Sequence, residues 1–199
     1  MTSETTYGFD TLQIHAGARP DPATGSRQTP IYQSTAFVFR DADHAAALFN
    51  LQEVGYIYSR LTNPTVAVLQ ERIATLEGGV GAVCCSSGHA AQIMALFPLM
   101  QPGRNVVVST RLYGGSITQF SQTIKRFGWG AKFVDFDDLD AVKAAIDDDT
   151  RAVFCESIAN PGGYITDLPA ISALSDEAGL PLIVDNTSAS AYLCRPIEH

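Results

Sequence analysis

The sequence predicts an α/β protein: a mostly parallel sheet flanked by helices, with an extended N-terminal arm. Three observations predict it. From residue 63 onward, short apolar runs alternate with segments whose apolar residues fall at helical spacing. The runs are continuous rather than alternating, as in strands covered by helices on both faces. Small or polar residues stand directly after each run, where sheets of this kind bind ligands.

The elements follow in order. Residues 1–55 read as an arm with one short helix, and residues 56–199 as the α/β domain. Segment 15–40 is rich in Gly, Pro, Thr and Gln and has little periodicity. It reads as an extended arm with turns at Asp21-Pro22 and Thr24-Gly25. A long ordered arm packs on something, often a neighbouring subunit. A short helix is expected over 41–50, with Asp41 as its N-cap. Asn63 caps the next helix, Pro64 occupies its first position, and Gly78-Gly79 ends it. Val66, Leu69, Ile73 and Leu76 form its apolar side. Strands are then expected at 82–85, 105–109, 132–135, 152–156 and 182–185. Helices are expected at 90–99, 116–127, 139–147 and 168–178.

Composition limits the function. The 199 residues are 46% hydrophobic and 17% charged, enough for one substantial core. No apolar run approaches the length of a membrane span. The first six residues lack a basic stretch followed by an apolar one, so no secretory signal is expected there, and the chain reads as soluble and cytoplasmic. A net charge of −8 argues against nucleic acid, whose phosphates require a basic surface. The four cysteines form no metal or redox spacing. Cys84, Cys85 and Cys155 lie in apolar runs and read as buried free thiols.

The residues after the runs carry the chemistry. Ser86-Ser87-Gly88-His89 leads into a helix N-terminus, where free N–H groups and the helix dipole favour a phosphate. Simple turn chemistry would also place small residues there. Leu112-Tyr113-Gly114-Gly115 puts a phenol at a strand end. Stacked on a flat ligand, its ring adds roughly 0.5–1.5 kcal/mol beyond area burial; it could equally be a rim tyrosine. Asn160-Pro161-Gly162-Gly163 forces a turn, in which Asn160 either faces a ligand oxygen or bonds its own backbone. Asp185 ends a buried run and must be paired or hydrogen-bonded. A protonated pyridine nitrogen suits it, and so do nearby loop amides. Tyr58 and Arg60, two residues apart in an extended segment, share a face and can clamp a phosphate. As a lone pair they could be ordinary surface. Together the set describes a phosphorylated pyridine cofactor.

With these motifs the sequence resembles the Cys/Met-metabolism family of pyridoxal 5'-phosphate (PLP) enzymes. The resemblance runs from Thr11-Leu12-Gln13-Ile14-His15-Ala16-Gly17 to Pro196-Ile197-Glu198-His199. It implies the PLP-dependent transferase-like fold and carries roles over residue by residue. Ser87, with the N–H groups of Gly88 and His89, would cradle the phosphate. Tyr58 and Arg60 would reach the phosphate of the adjacent subunit's PLP, in a homotetramer built as a dimer of dimers. Tyr113 would stack on the pyridine ring and act as an acid/base. Asn160 would meet the ring's 3' oxygen, Asp185 the pyridine nitrogen, and Thr187 would complete the cofactor-binding set. No metal site is implied.

Within the family, the stretches Pro20-Asp21-Pro22-Ala23-Thr24-Gly25-Ser26-Arg27, Pro30-Ile31-Tyr32-Gln33-Ser34-Thr35 and Phe49-Asn50-Leu51-Gln52 resemble the O-acetylhomoserine sulfhydrylase branch. That branch implies γ-replacement in methionine biosynthesis: O-acetylhomoserine and sulfide give homocysteine and acetate. Cystathionine γ-synthase and methionine γ-lyase activities share most of the motifs. Two places depart from the family. His89 stands where Met or Gln is common. Thr187-Ser188-Ala189-Ser190-Ala191 replaces the usual Thr-Phe-Ala-Thr-Pro beside the ring.

The family's lysine anchor for PLP is expected just beyond the segment matching 196–199. Lys125 and Lys143 fall in expected helices, and Lys132 starts an expected strand. The chain therefore reads as the N-terminal part of such an enzyme, inactive by itself. Two other classes compete. A dehydrogenase-like nucleotide binder is weakened by the lack of GxGxxG after the first run. A non-catalytic scaffold with the same fold is the other.

Overall fold

The computed structural model of the chain describes residues 7–199. Residues 1–6, on which the expectation about a secretory signal falls, lie outside the described residues. The chain forms two compact units, one ending at Cys84 and the other running Cys85–His199.

Among its described residues the first unit contains three helices, α1 (Phe9–His15), α2 (Ala42–Phe49) and α3 (Pro64–Glu77). α1 is an addition to the expected arm. It has seven residues, no side-chain cap and no buried residue, so it leaves no periodic signal. α2 and α3 start as their caps dictate. Asp41 accepts the His44 N–H, Asn63 accepts the Thr65 N–H, and Gly78 ends α3 in the left-handed region at φ 75°. The arm is tied to the start of α3. Asn63 Nδ2 donates to Tyr32 O at 2.9 Å, and Thr65 Oγ1 donates to Pro30 O at 2.8 Å. The Asp21 turn is closed by Thr24, whose N–H and hydroxyl both reach the Asp21 carboxylate. Gly17 has φ +73°, and a Cβ there would meet Val68 O of α3 at 2.6 Å. Its missing side chain lets the arm run against the helix.

The second unit is a four-stranded parallel sheet in the order β2-β1-β3-β4. The strands are β1 (Asn105–Ser109), β2 (Gly130–Val134), β3 (Thr150–Glu156) and β4 (Leu182–Asp185). Helix α4 (Gly88–Leu96) precedes β1, helices α5 (Gly114–Thr118), α6 (Leu139–Ala145) and α7 (Leu168–Glu177) lie in the connections between strands, and α8 (Ser190–Leu193) follows β4. Alternate residues of the central strands face opposite layers. Val106, Val108 and Phe154 pack with Leu96, Phe120 and Ile124. Val107, Val153 and Cys155 pack with Val142, Leu168 and Ile171. Both faces are dry, which explains the continuous apolar runs.

Three expectations need correction. Segment 82–85 joins no ladder among the described residues, and Val83 is 75% exposed. An apolar run signals a strand only where a partner supplies the hydrogen bonds. The expected helix over 116–127 is three pieces: α5, a π-helical turn Gln119–Thr123 and a 3-10 turn Ile124–Phe127. The π turn accompanies an inward-facing Gln119, described below. Of the three cysteines read as buried, only Cys155 is. Cys84 is half-buried and Cys85 exposed. All four cysteines are free thiols.

At the amino edge of the sheet, Asp147 gathers a polar knot. Its carboxylate accepts from Lys132 Nζ at 2.5 Å, Asn105 Nδ2 at 3.0 Å and Thr150 Oγ1 at 2.9 Å. The Lys132 bond first, then those from Asn105 and Thr150, hold its carboxyl well below the ordinary 3.8. A depressed carboxyl adds stability that is present above the unfolded-state value and lost as pH falls towards the folded-state one. Asp147→Asn should therefore shrink the drop in Tm between about pH 5 and about pH 2. Scanning calorimetry of both proteins checks this; parallel pH curves would contradict it.

Candidate active site

Strands β3 and β4 end at one level, with Glu156 paired in register with Asp185. β1 is followed in the chain by β2 on one side and then by β3 on the other. Such a reversal opens a crevice beyond the carboxyl ends of the strands. A cavity of about 190 Å³ lies there, lined by Tyr113, Asn160, Asp185 and Thr187 together with Glu156, Ile158 and Ser188.

Each group is held by its local structure. The Asp185 carboxylate accepts the N–H of Thr187 at 3.0 Å and its hydroxyl on one oxygen. Its other oxygen accepts Gln92 Nε2 at 3.2 Å. Gln92 lies on α4, is 6% exposed, and also donates to Ser116 Oγ. Gln119, turned inward by the π turn, donates to Gln92 Oε1 at 3.1 Å and lies 3.2 Å from the His89 carbonyl. Asp185 is thus oriented through buried amides, with its negative charge satisfied by donors.

Tyr113 opens α5. Its ring is half exposed and stacks on the His89 ring, with centroids 5.9 Å apart and planes at 26°. Gly115 makes room for this pair. A Cβ there would stand 2.6 Å from both His89 Cε1 and Tyr113 Cε1.

Asn160 sits in a tight loop, joined to Pro161 by a cis peptide and closed by the Ala159 N–H to Tyr164 O bond at 2.8 Å. Arg111 lies 4.5 Å over the Tyr164 ring and pins this loop to the end of β1. Among the described residues the Asn160 side-chain amide has no hydrogen-bond partner, which leaves it available to a ligand.

At the start of α4, Ser87 Oγ accepts the Ala90 N–H and Ser87 O accepts that of Ala91. The N–H groups of Gly88 and His89 precede these and have no acceptor within the helix. A Cβ at Gly88 would meet nothing within 4 Å, so the approach to them is open. Ser87 and Gly88 do not line the cavity; α4 reaches its lining only through Gln92, bonded to Asp185, and the ring of His89, stacked on Tyr113. Tyr58 and Arg60 belong to the first unit. There a turn, not an extended strand, brings the Arg60 guanidinium 5.4 Å over the Tyr58 ring.

Sequence reasoning missed Glu156, Gln92 and Gln119 as site residues. Glu156 was legible by the rule that marked Asp185, since it too closes an apolar run. A lone Gln within the apolar start of a helix was the available signal for Gln92. Cys155 is not a nucleophile: burial, then the neighbouring Glu156 charge, pushes its thiol up to about 12. Lys132 and Lys143 are engaged by Asp147 and Glu177. Among the described residues no group of His, Cys, Asp and Glu could hold a metal ion.

The donor set fits PLP. A carboxylate fixed at the cavity wall suits a protonated pyridine nitrogen, an unpartnered amide suits an oxygen on the ring, and a ring-stacking phenol suits its face. The open N-terminus of α4 suits a phosphate.

Comparison with known proteins agrees. The family model for Cys/Met metabolism PLP-dependent enzymes matches residues 10–199. The homocysteine synthase of Schizosaccharomyces pombe is 50% identical over 192 residues, which is 96% of this chain and 45% of that protein. The O-acetyl-L-homoserine sulfhydrylase of Corynebacterium glutamicum is 49% identical over 193 residues, covering 96% of this chain and 44% of that protein. A crystal structure from Campylobacter jejuni, designated an O-acetylhomoserine (thiol)-lyase and carrying N'-pyridoxyl-lysine-5'-monophosphate, superposes with a TM-score of 0.93 at 43% identity. It covers 98% of this chain and 48% of that one. The chain spans about half the length of the curated relatives it matches. By the match of the family model to nearly all of its residues, the chain belongs to the Cys/Met metabolism PLP-dependent enzymes.

Proposed function

We propose that this chain forms the cofactor-holding part of an enzyme that converts O-acetylhomoserine and sulfide into homocysteine and acetate. The observation that carries the reading is Asp185, fixed at the cavity by Thr187 and Gln92 beside the Tyr113 ring and the free Asn160 amide. The names of the sulfhydrylase relatives supply the substrate class. PLP, when bound, supplies an electron-withdrawing ring that acidifies the carbons of an attached amino acid.

The protein's own groups do the rest. Asp185 keeps the proton on the pyridine nitrogen through charge pairing. Asn160 would donate its side-chain amide to the oxygen on the ring. The Gly88 and His89 N–H groups and the Ser87 turn bind the phosphate. Tyr113 covers one ring face, and its hydroxyl carries a proton near the substrate. In the net reaction the bond from Cγ to the acetate oxygen breaks and a bond from Cγ to sulfur forms.

Tyr58 and Arg60 present a phenol and a guanidinium side by side, with Tyr58 38% exposed. We assign them to the phosphate of an adjacent subunit's cofactor, in a homotetramer built from two dimers. The cofactor-holding residues then fall within 56–199, with 1–55 as the arm. No described helix is long and apolar enough to cross a membrane, and we place the enzyme in the cytoplasm.

The reaction is tested in an enzyme of the relatives' full length that carries this sequence. O-acetylhomoserine with sulfide should give homocysteine faster than O-succinylhomoserine with cysteine gives cystathionine. The reverse order would reassign it as a cystathionine γ-synthase, and release of methanethiol from methionine as a γ-lyase. No turnover of any of these substrates would favour a scaffold.

Asp185→Ala should lower kcat/KM by at least about 100-fold, as for loss of one preorganised charge at the reacting centre. It should also weaken PLP retention in equilibrium dialysis; normal retention and turnover would remove Asp185 from its role. Gly115→Ala should push the Tyr113 and His89 rings apart. Both can swing outward, so stability should change by no more than about 0.5 kcal/mol while PLP affinity falls. Denaturation and dialysis on the same variant separate the two effects.

A further inference from the structure

Glu156 is buried at the end of β3, 4% exposed, and it lines the cavity without a role in the proposed chemistry. Its two oxygens serve two different loops. Oε1 accepts the backbone N–H of Tyr113 at 2.7 Å, and Oε2 accepts the backbone N–H of Asn160 at 3.0 Å. Among the described residues it forms no ion pair. A buried carboxylate without a cation is costly unless dipoles satisfy it, and here two N–H groups do.

Neither donor can reverse, because a backbone N–H accepts nothing. Both oxygens must therefore act as acceptors, which an ionised carboxylate does and an amide cannot. The anchor itself is rigid. Thr166 Oγ1 donates to Glu156 O, and the Ser157 N–H bonds Asp185 O at 3.0 Å, so the ends of β3 and β4 are locked together. Tyr113 and Asn160 are thereby referenced to a strand end locked to the one that carries Asp185.

We propose that Glu156 is a positioning residue, a carboxylate staple that sets the spacing of the Tyr113 ring and the Asn160 amide across the cofactor cavity. The inference rests on the reading that Tyr113 and Asn160 hold PLP. A carboxylate placed only for stability would satisfy the start of α5 and leave cofactor geometry unchanged.

The two loops make the staple testable in the full-length holoenzyme. In the wild type, the amide hydrogens of Tyr113 and Asn160 should exchange slowly and with similar protection; fast exchange at either overturns the staple, whatever any variant does. Glu156→Gln keeps one acceptor and should free one of the two loops, raising exchange around 112–115 or around 158–162 but not both. Glu156→Asp keeps both acceptors one methylene further back and should loosen both loops together. In each variant the Kd for PLP should rise about tenfold, and the visible band of the bound cofactor should titrate at a shifted pH. Lower Tm with unchanged PLP affinity and an unmoved band would make Glu156 structural only. Asp185→Ala is the control. If it too leaves PLP binding intact, the cofactor reading fails; if it weakens binding while the Glu156 variants do not, only the staple fails.

Discussion

The site depends on the register that sets Glu156 beside Asp185 where two parallel strands stop together. Everything behind that level is dry: Val106, Val107, Val108, Val153 and Phe154 are sealed between two helical layers. Polar groups can gather only where the strands run out. There two adjacent carboxylates are tolerated because each is met by donors from a different part of the chain. Asp185 takes Thr187 and Gln92, and Glu156 takes Tyr113 and Asn160. The result is a negative wall with fixed oxygens beside a small cavity, suited to a flat ring with a protonated nitrogen.

The fold was legible where local and tertiary signals agree. β1 and β4 fall where their apolar runs do, and α3 begins and ends on its Asn63, Pro64 and Gly78 signals. It was illegible where pairing or inward polarity decides. The 82–85 run has strand composition but no partner among the described residues. Helical spacing alone could not show that Gln119 turns inward through a π turn, since that depends on Gln92 waiting opposite.

The residues now surrounding the cavity were read mostly from their place after a strand. Tyr113, Asn160 and Asp185 came from that rule and Thr187 from the family resemblance, and the structure gathers the four at one crevice. The rule marks side chains that face a ligand and is silent about those that hold them. Gln92 lies 93 positions from Asp185 in the sequence, and Glu156 43 from Tyr113. No spacing rule spans such separations; only the sheet brings them together. The departure at His89 gains a physical meaning in the same way. Its ring stacks on Tyr113 because Gly115 leaves the space.

The unpaired run at 82–85 has a consequence for handling the protein. Ala82, Val83, Cys84 and Cys85 join no ladder among the described residues, and Val83 is largely bare. Backbone donors and acceptors left unpaired in an apolar run can pair with an extended chain they meet, including another copy of the same run. The exposed Cys85 thiol can then fix an accidental pairing as an intermolecular disulfide.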